Sequence, residues 1–149
     1  MSISQVYNDR ILELAGNLPD MPALPAPDGE ARRVSRVCGS TIDVQINVTD
    51  RTVTGYSQDV NACALGQTSA SVMASHAIGS TFDELRTVRA QMIAMLKTDG
   101  AAPSGKWEDL KYLEPVKDYK PRHTSTLLVF DAVVDAIDAY ELAQQENAG

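Results

Sequence analysis

Cys38 and Cys63 are the only thiols in the chain, and each precedes a predicted element of secondary structure. Cys38 comes just before an alternating strand at residues 42–48, and Cys63 opens a run of small residues typical of a helix start. A thiol at a helix N-terminus meets unpaired N–H groups and the positive end of the helix dipole, which favour the thiolate. Two strands and a turn fit between the cysteines, so the chain can double back and bring them together. The pair therefore indicates a site for a metal or for sulfur.

Three segments of the sequence carry a family resemblance. Cys38-Gly39-Ser40 precedes a strand, Cys63 leads a helix rich in alanine and serine, and residues 122–133 open the last helix. They resemble the iron–sulfur cluster assembly scaffolds of the NifU/IscU family, which have a Cys-Gly-Asp, a Gly-Cys and a third cysteine at the corresponding places. Residues 97–119, together with Arg122, are similar to the SufU-type branch of that family.

The resemblance implies a metal site made of Cys38, Cys63 and Ser125. The two cysteines fall on the first two family cysteines, Ser125 falls on the third, and Ser40 replaces the family aspartate. Metal and cluster sites normally use three or four strong ligands, and a serine oxygen is a far poorer ligand than a thiolate. We therefore expect an iron–sulfur cluster or zinc to be bound weakly, or not at all, by the isolated protein.

The resemblance also implies a function and partners. A scaffold of this family is not an enzyme: it takes sulfur from a cysteine desulfurase, gathers iron and passes the cluster to iron–sulfur acceptor proteins. Cys38 would accept the sulfur, and Arg122 would orient the partner or the thiolate. The alternative is a divergent paralogue that lacks a cluster and acts as a binding or regulatory module for a cysteine desulfurase or another partner. Thiol redox chemistry of the two cysteines is a third, less favoured hypothesis.

Other residues with reactive side chains fit structural roles as well as functional ones. A free cysteine is most often a small buried hydrophobic residue. His123 lies one position from the place where part of the family has a histidine, so it is either a ligand or a histidine hydrogen-bonded at a helix start. His76 lies about 20 Å along the helix from Cys63 and is expected at the surface or in an interface. The serines Ser69, Ser71 and Ser75 are expected to be small packing residues.

Composition limits the classes of partner. Thirteen basic and twenty acidic residues give a net charge of −7, which disfavours nucleic acid binding, although Arg32, Arg33 and Arg36 form a local basic patch. No stretch approaches the roughly 20 apolar residues of a membrane span, and the first residues lack an apolar signal region. Two cysteines in such a chain indicate the reducing cytoplasm, where reactive or metal-bound thiols are favoured over a structural disulfide.

The pattern of apolar residues predicts an α+β fold in a single domain, residues 1–149. It comprises an N-terminal helix within 1–16 that begins near residue 4, a proline-rich linker at 17–29 and a core at 30–145. Strands at 33–37, 42–48 and 52–59 are expected to form a three-stranded antiparallel meander with helices packed on one face. Helices are predicted at 63–78, after a capping box from Thr81 to Glu84, around Trp107 before Pro115, and at 125–144.

Overall fold

The computed structural model describes residues 7–36 and 39–148. Its elements, in chain order, are α1 (Asp9–Gly16), β1 (Gly29–Ser35), β2 (Ser40–Thr49), β3 (Thr52–Asn61), α2 (Ala64–His76), α3 (Phe82–Lys97), a run of 3₁₀ turns (Gly105–Asp118), a short 3₁₀ turn (Lys120–Arg122) and α4 (His123–Ala148). The strands form one antiparallel sheet in the order β1-β2-β3. The predicted α+β fold with a three-stranded meander is therefore confirmed.

The hairpin between β2 and β3 closes through a two-residue turn. Thr49 pairs with Thr52, and the two residues between them, Asp50 and Arg51, have φ angles of 51° and 57°. Positive φ at both central residues defines a type I′ turn, whose twist matches that of the two flanking strands. Beyond this turn, an irregularity between Asn47 and Val48 shifts the register, so that Val48 pairs with Val53 and Asn47 with Gly55.

The inner face of the sheet packs against α4. Alternation along β2 buries Ile42, Val44 and Ile46 on this face, as the sequence predicts. At the start of β1, a Cβ on Gly29 would lie 2.4 Å from the carbonyl oxygen of Ala136. Only glycine therefore permits this close approach of strand and helix. The sequence predicts four buried residues in α4. Leu128, Val133 and Ile137 are buried, and Tyr140 is half-buried.

The proline-rich segment lies along the outer face of the sheet instead of acting only as a linker. The backbone N–H of Leu24 donates to Gln45 Oε1 at 2.9 Å, and Asn47 Nδ2 donates to the carbonyl of Ala26 at 2.8 Å. These side-chain bonds replace the regular backbone ladder that proline prevents. We call residues 18–28 the strap, since they partly cover a face that the sequence predicts to be solvated.

The predicted starts of β1 and α1 shift in the structure. Strand β1 begins at Gly29, not at residue 33, because Gly29 already pairs with Ile46 of β2. Its predicted end at Val37 lies outside the described residues. Helix α1 begins at Asp9 because Asn8 caps it, with Asn8 Oδ1 accepting the N–H of Ile11. The predicted residues 4–6 of this helix are also outside the described part.

The segment between α3 and α4 is helical in a different way from that predicted. The sequence predicts one helix ending before Pro115, whereas 3₁₀ turns continue through Pro115 to Asp118. An α-helix would lose a hydrogen bond at this proline and clash with the carbonyl four residues earlier. Because a second 3₁₀ turn leads directly into α4, that helix begins at His123 and not at Ser125.

The predicted capping box at the start of α3 is confirmed and ties α3 to the 3₁₀ segment. Thr81 Oγ1 accepts the N–H of Glu84 at 3.1 Å. The carboxylate of Glu84 accepts from Trp107 Nε1 at 2.9 Å and from Lys106 Nζ at 3.0 Å. One glutamate therefore joins the first turn of α3 to the start of the 3₁₀ run. In the described part of the chain, no helix is long and apolar enough to span a membrane.

Candidate metal and sulfur site

Cys63 and Ser125 meet where the N-termini of α2 and α4 lie side by side. Cys63 is the N-cap residue of α2, and its side chain does not cap the helix backbone. Its Sγ lies 3.6 Å from Ser125 Oγ, and Ser125 is only 1% exposed, whereas Cys63 is partly exposed. Two of the three predicted site residues are therefore in contact.

The hydrogen bonds of this pair form a chain from Cys63 through Ser125 to the backbone carbonyl of Arg122. Ser125 Oγ donates to the carbonyl oxygen of Arg122 at 3.2 Å, and the same hydroxyl accepts from Cys63 Sγ. In this arrangement the S–H group of Cys63 is the donor and the Ser125 hydroxyl is the acceptor. For the hydroxyl to stabilise a Cys63 thiolate, it must rotate away from the Arg122 carbonyl. That carbonyl also accepts from Thr126 Oγ1 at 2.8 Å, so it keeps a partner after such a rotation.

Close packing of α2 on α4 holds the pair together. A Cβ on Gly66 would lie 3.1 Å from the carbonyl oxygen of Ser125 and 2.8 Å from Cβ of Ala62. One turn further along α2, Ser69 Oγ donates to the carbonyl of Thr126 at 2.8 Å. Ser69 therefore has the structural role that the sequence suggests. Gly66 was missed as a site residue, and its only signal is a glycine in the first turn of the helix that follows Cys63.

Cys38, the third predicted site residue, lies outside the described residues. Its neighbour Ser40 is 3% exposed and pairs with Ser35, closing the β1–β2 hairpin. On the other side of β2, Thr41 pairs with Asn61, two residues before Cys63. The pair of Ser35 and Ser40 therefore lies at the same end of the sheet as Cys63. The convergence of Cys38 with the other two residues stays a prediction.

His123 is engaged with the backbone. It is 4% exposed, and its Nε2 lies 3.0 Å from the carbonyl oxygen of Val116 and 3.1 Å from that of Lys117. A carbonyl oxygen only accepts hydrogen bonds, so Nε2 must carry the proton and cannot ligate a metal. Of the two alternatives for this residue, the geometry favours a histidine hydrogen-bonded at a helix start.

The donor set of the described residues falls short of a complete metal site. Within residues 7–36 and 39–148, no group of three or more histidine, cysteine, aspartate or glutamate side chains could hold a metal ion. At this site the described residues provide one thiol and one hydroxyl. His76 is far along α2, and its ring packs edge-on against Trp107 with centroids 5.6 Å apart. A stable cluster or zinc ion therefore needs ligands in addition to Cys63 and Ser125.

Solved structures with the same arrangement of strands and helices identify the family. The chain is 52% identical to the N-terminal part of a nitrogen-fixing NifU-like protein from Brucella abortus, with a TM-score of 0.91 over 93% of this chain and 96% of that one. It also resembles a protein from Fervidobacterium islandicum that is described as an iron–sulfur cluster assembly scaffold for the SUF system. That match has 16% identity and a TM-score of 0.80, over 91% of this chain and 98% of that one. No protein-family model and no curated protein matches the chain.

The 52% identity over nearly the whole chain decides the class of protein. The chain belongs to the NifU-like family, with the fold of the N-terminal NifU domain. The match at 16% identity shows the shared fold alone.

Proposed function

We propose that this chain is an iron–sulfur cluster assembly scaffold whose own ligand set is incomplete. The observation that carries the proposal is the contact between Cys63 Sγ and Ser125 Oγ, 3.6 Å apart at the N-termini of two helices. The N-terminus of α2, whose N-cap Cys63 makes no side-chain hydrogen bond to the helix, presents N–H groups that favour the negative charge of thiolates and sulfide. Iron and sulfide are the cargo of such a scaffold, so weak binding by the isolated chain agrees with handing the cluster on.

In this proposal each side chain has a defined task. Cys63 binds iron or zinc through sulfur, Ser125 supplies a hydroxyl that donates to the thiolate, and Cys38 accepts sulfur. The Cys38 thiolate attacks the terminal sulfur of a persulfide on the partner desulfurase, and the desulfurase cysteine leaves as a thiolate. Further ligands for the metal come from a partner, either the cysteine desulfurase or the acceptor protein. Arg122, which is half-buried beside Ser125, orients that partner. We assign this chemistry to a reducing compartment, the cytoplasm, where free thiols persist.

A second candidate function follows from the direction of the hydrogen bonds. Cys63 donates to Ser125 and Ser125 donates to the carbonyl of Arg122, so both side chains have hydrogen-bond partners within the protein itself. In that case the chain is a binding module that regulates a cysteine desulfurase or another partner and carries no cluster. The two functions make different predictions for Cys63, because only the scaffold needs its sulfur.

The experiment that separates them is anaerobic assembly with a cysteine desulfurase, cysteine and ferrous iron. A scaffold gains the visible absorption of a cluster, and Cys63→Ala abolishes this gain while Thr124→Ala, an exposed neighbour of Ser125, does not. A binding module instead changes desulfurase turnover equally in the wild type and in Cys63→Ala, without cluster absorption. The second outcome would refute the scaffold proposal.

A further inference from the structure

A groove of about 820 Å³ lies between the strap and the outer face of the sheet. On one side it is lined by the first part of the strap, where Leu18 and Met21 provide apolar surface. Its floor crosses all three strands in register, because Arg32 pairs with Asp43 and Asp43 pairs with Asp59. We call this space the outer groove. It is separate from the contact between Cys63 and Ser125.

Two like charges on the floor destabilise the fold. Asp43 and Asp59 occupy directly opposite positions on neighbouring strands, and like charges so placed are destabilising. Arg32 reaches Asp43 only at 3.9 Å, with both side chains well exposed, so this ion pair compensates little. Among the described residues, no basic group lies within ion-pair distance of Asp59.

The rest of the lining adds negative charge. Asp20 on the strap and Glu30 on β1 also face the outer groove, whereas Arg32 is the one basic residue that lines it. Four carboxylates and one guanidinium therefore give the lining a net charge of −3. Residues that break a local rule for stability without compensation are characteristic of functional sites. Here the missing component is positive charge.

We propose that the outer groove binds an extended segment of a partner protein that carries lysine or arginine at alternate positions. In an extended segment, alternate side chains point in opposite directions. One set can reach the carboxylates of Asp43 and Asp59, while the other packs on Leu18 and Met21 of the strap. The three-stranded floor is roughly 10 Å across, which about three extended residues span. The occupant is therefore a short linear segment and not a folded surface.

The floor of the outer groove lies near the contact between Cys63 and Ser125. Binding in the outer groove does not depend on the proposed function. Asp59 lies four residues before Cys63, on the half of the sheet that ends beside Ser125. A partner anchored in the outer groove would therefore be held close to Cys63, which is partly exposed. Binding here requires neither a metal nor a thiol.

The test uses the full chain and a fluorescein-labelled peptide of sequence Lys-Val-Lys-Val-Lys, followed by NMR amide shifts and fluorescence anisotropy. We expect shifts confined to the strap and the outer face of the sheet. The dissociation constant should rise about three-fold in Asp43→Asn or Asp59→Asn and about ten-fold in the double variant. Glu108→Gln, which removes the same charge from an exposed position on the 3₁₀ run, should leave it unchanged.

A second readout separates a binding role from a structural one. Without peptide, Asp59→Asn should raise the melting temperature by about 1–3 °C, because it relieves repulsion with Asp43. Four results would overturn the proposal: lower stability in Asp59→Asn, shifts outside the outer groove, equal weakening by Glu108→Gln, or equally tight binding of Glu-Val-Glu-Val-Glu. Equal displacement of the peptide by spermine would also overturn it, since the outer groove would then bind any polycation.

Discussion

Gly66 faces the backbone of Ser125 so closely that a single methyl group would separate α2 from α4. A Cβ at Gly66 would lie 3.1 Å from Ser125 O and 2.8 Å from Cβ of Ala62. Both distances are shorter than an ordinary van der Waals contact of a Cβ atom. The glycine thus controls the spacing of the two helix N-termini that carry Cys63 and Ser125.

We predict that Gly66→Ala destabilises the protein although alanine is the better helix former. Overpacking costs about 1–3 kcal/mol, against a helix-propensity gain of about 1 kcal/mol. The net loss should be measurable by urea unfolding monitored through Trp107, the only tryptophan. Gly16→Ala is the matched control, since a Cβ at Gly16 meets nothing within 4 Å. A Gly66→Ala protein as stable as Gly16→Ala would show that the helices can separate at no cost.

We predict that the isolated wild type, purified without oxygen, contains less than stoichiometric zinc or iron. A complete small zinc site contributes on the order of 10–16 kcal/mol of binding free energy, and much of this depends on thiolates that are missing here. Elemental analysis of freshly purified protein is the measurement. Stoichiometric metal would mean that further ligands join Cys63, and that the serine at position 125 is an adequate oxygen donor.

The sequence predicts the local elements well because their signals are local. The alternation of β2 places Ile42 and Val44 on the buried face, and the pairing of Thr81 with Glu84 marks the start of α3. The strap could not be predicted in this way. Its position depends on Gln45 accepting from Leu24, a contact between residues 21 positions apart that leaves no pattern in either segment.

The 3₁₀ run shows a different limit of sequence reading. Trp107, Leu110, Leu113 and Val116 are all buried and recur every three residues. This period fits the three residues per turn of a 3₁₀-helix as well as it fits one face of an α-helix.

For the candidate site, family resemblance places Ser125 beside Cys63. The structural role of His123 depends on carbonyl groups of this same 3₁₀ run, which the sequence reading assigned to an α-helix or a loop.

We predict a loss of stability above pH 10 that depends on Tyr56. Burial raises the pKa of Tyr56 above its ordinary value of about 10, and its hydroxyl donates to Gln58 Oε1 at 2.5 Å. Because the folded state holds this proton more tightly, its contribution is complete below about pH 10 and falls as the pH rises further. The free energy of unfolding should fall by about 1.4 kcal/mol per pH unit for this proton.

Tyr56→Phe tests this linkage. The variant should be less stable at pH 8, because it leaves the buried Gln58 without its donor, at a cost of about 1–3 kcal/mol. The difference from wild type should shrink between pH 10 and pH 11, as measured by urea unfolding at each pH. A constant difference across this range would mean that Tyr56 titrates normally in the folded protein.

We predict that Glu84 stabilises the fold at neutral pH and loses this effect in acid. Burial alone would raise the pKa of Glu84, but hydrogen bonds from Trp107 and Lys106 lower it below its ordinary value. A lowered carboxyl pKa gives stability that is present above the unfolded value, about 4.3, and is lost as the pH falls below it. Glu84→Gln should therefore be less stable than wild type at pH 7 and equal to it near pH 3. The control is Glu108→Gln, which removes an exposed carboxylate from the 3₁₀ run that contains Lys106 and Trp107. The stability of this variant relative to wild type should not depend on pH in this way.

Finally, we predict that restoring the family ligands creates a zinc site. Ser125→Cys places a second sulfur where an oxygen now lies 3.6 Å from Cys63 Sγ, and Ser40→Asp adds a carboxylate at the same end of the sheet. Ser40 is 3% exposed, so an aspartate there is costly unless a cation neutralises it. The double variant should therefore be less stable than wild type without metal, and its melting temperature should rise strongly with zinc. Competition with a chromophoric chelator gives the affinity of the double variant for zinc.

The control is Ser71→Cys, which changes a buried serine about 12 Å further along α2 and should gain no affinity for zinc. If the double variant binds zinc no better than Ser71→Cys, then Cys38 does not join Cys63 and Ser125, and the family likeness extends to the fold without the site.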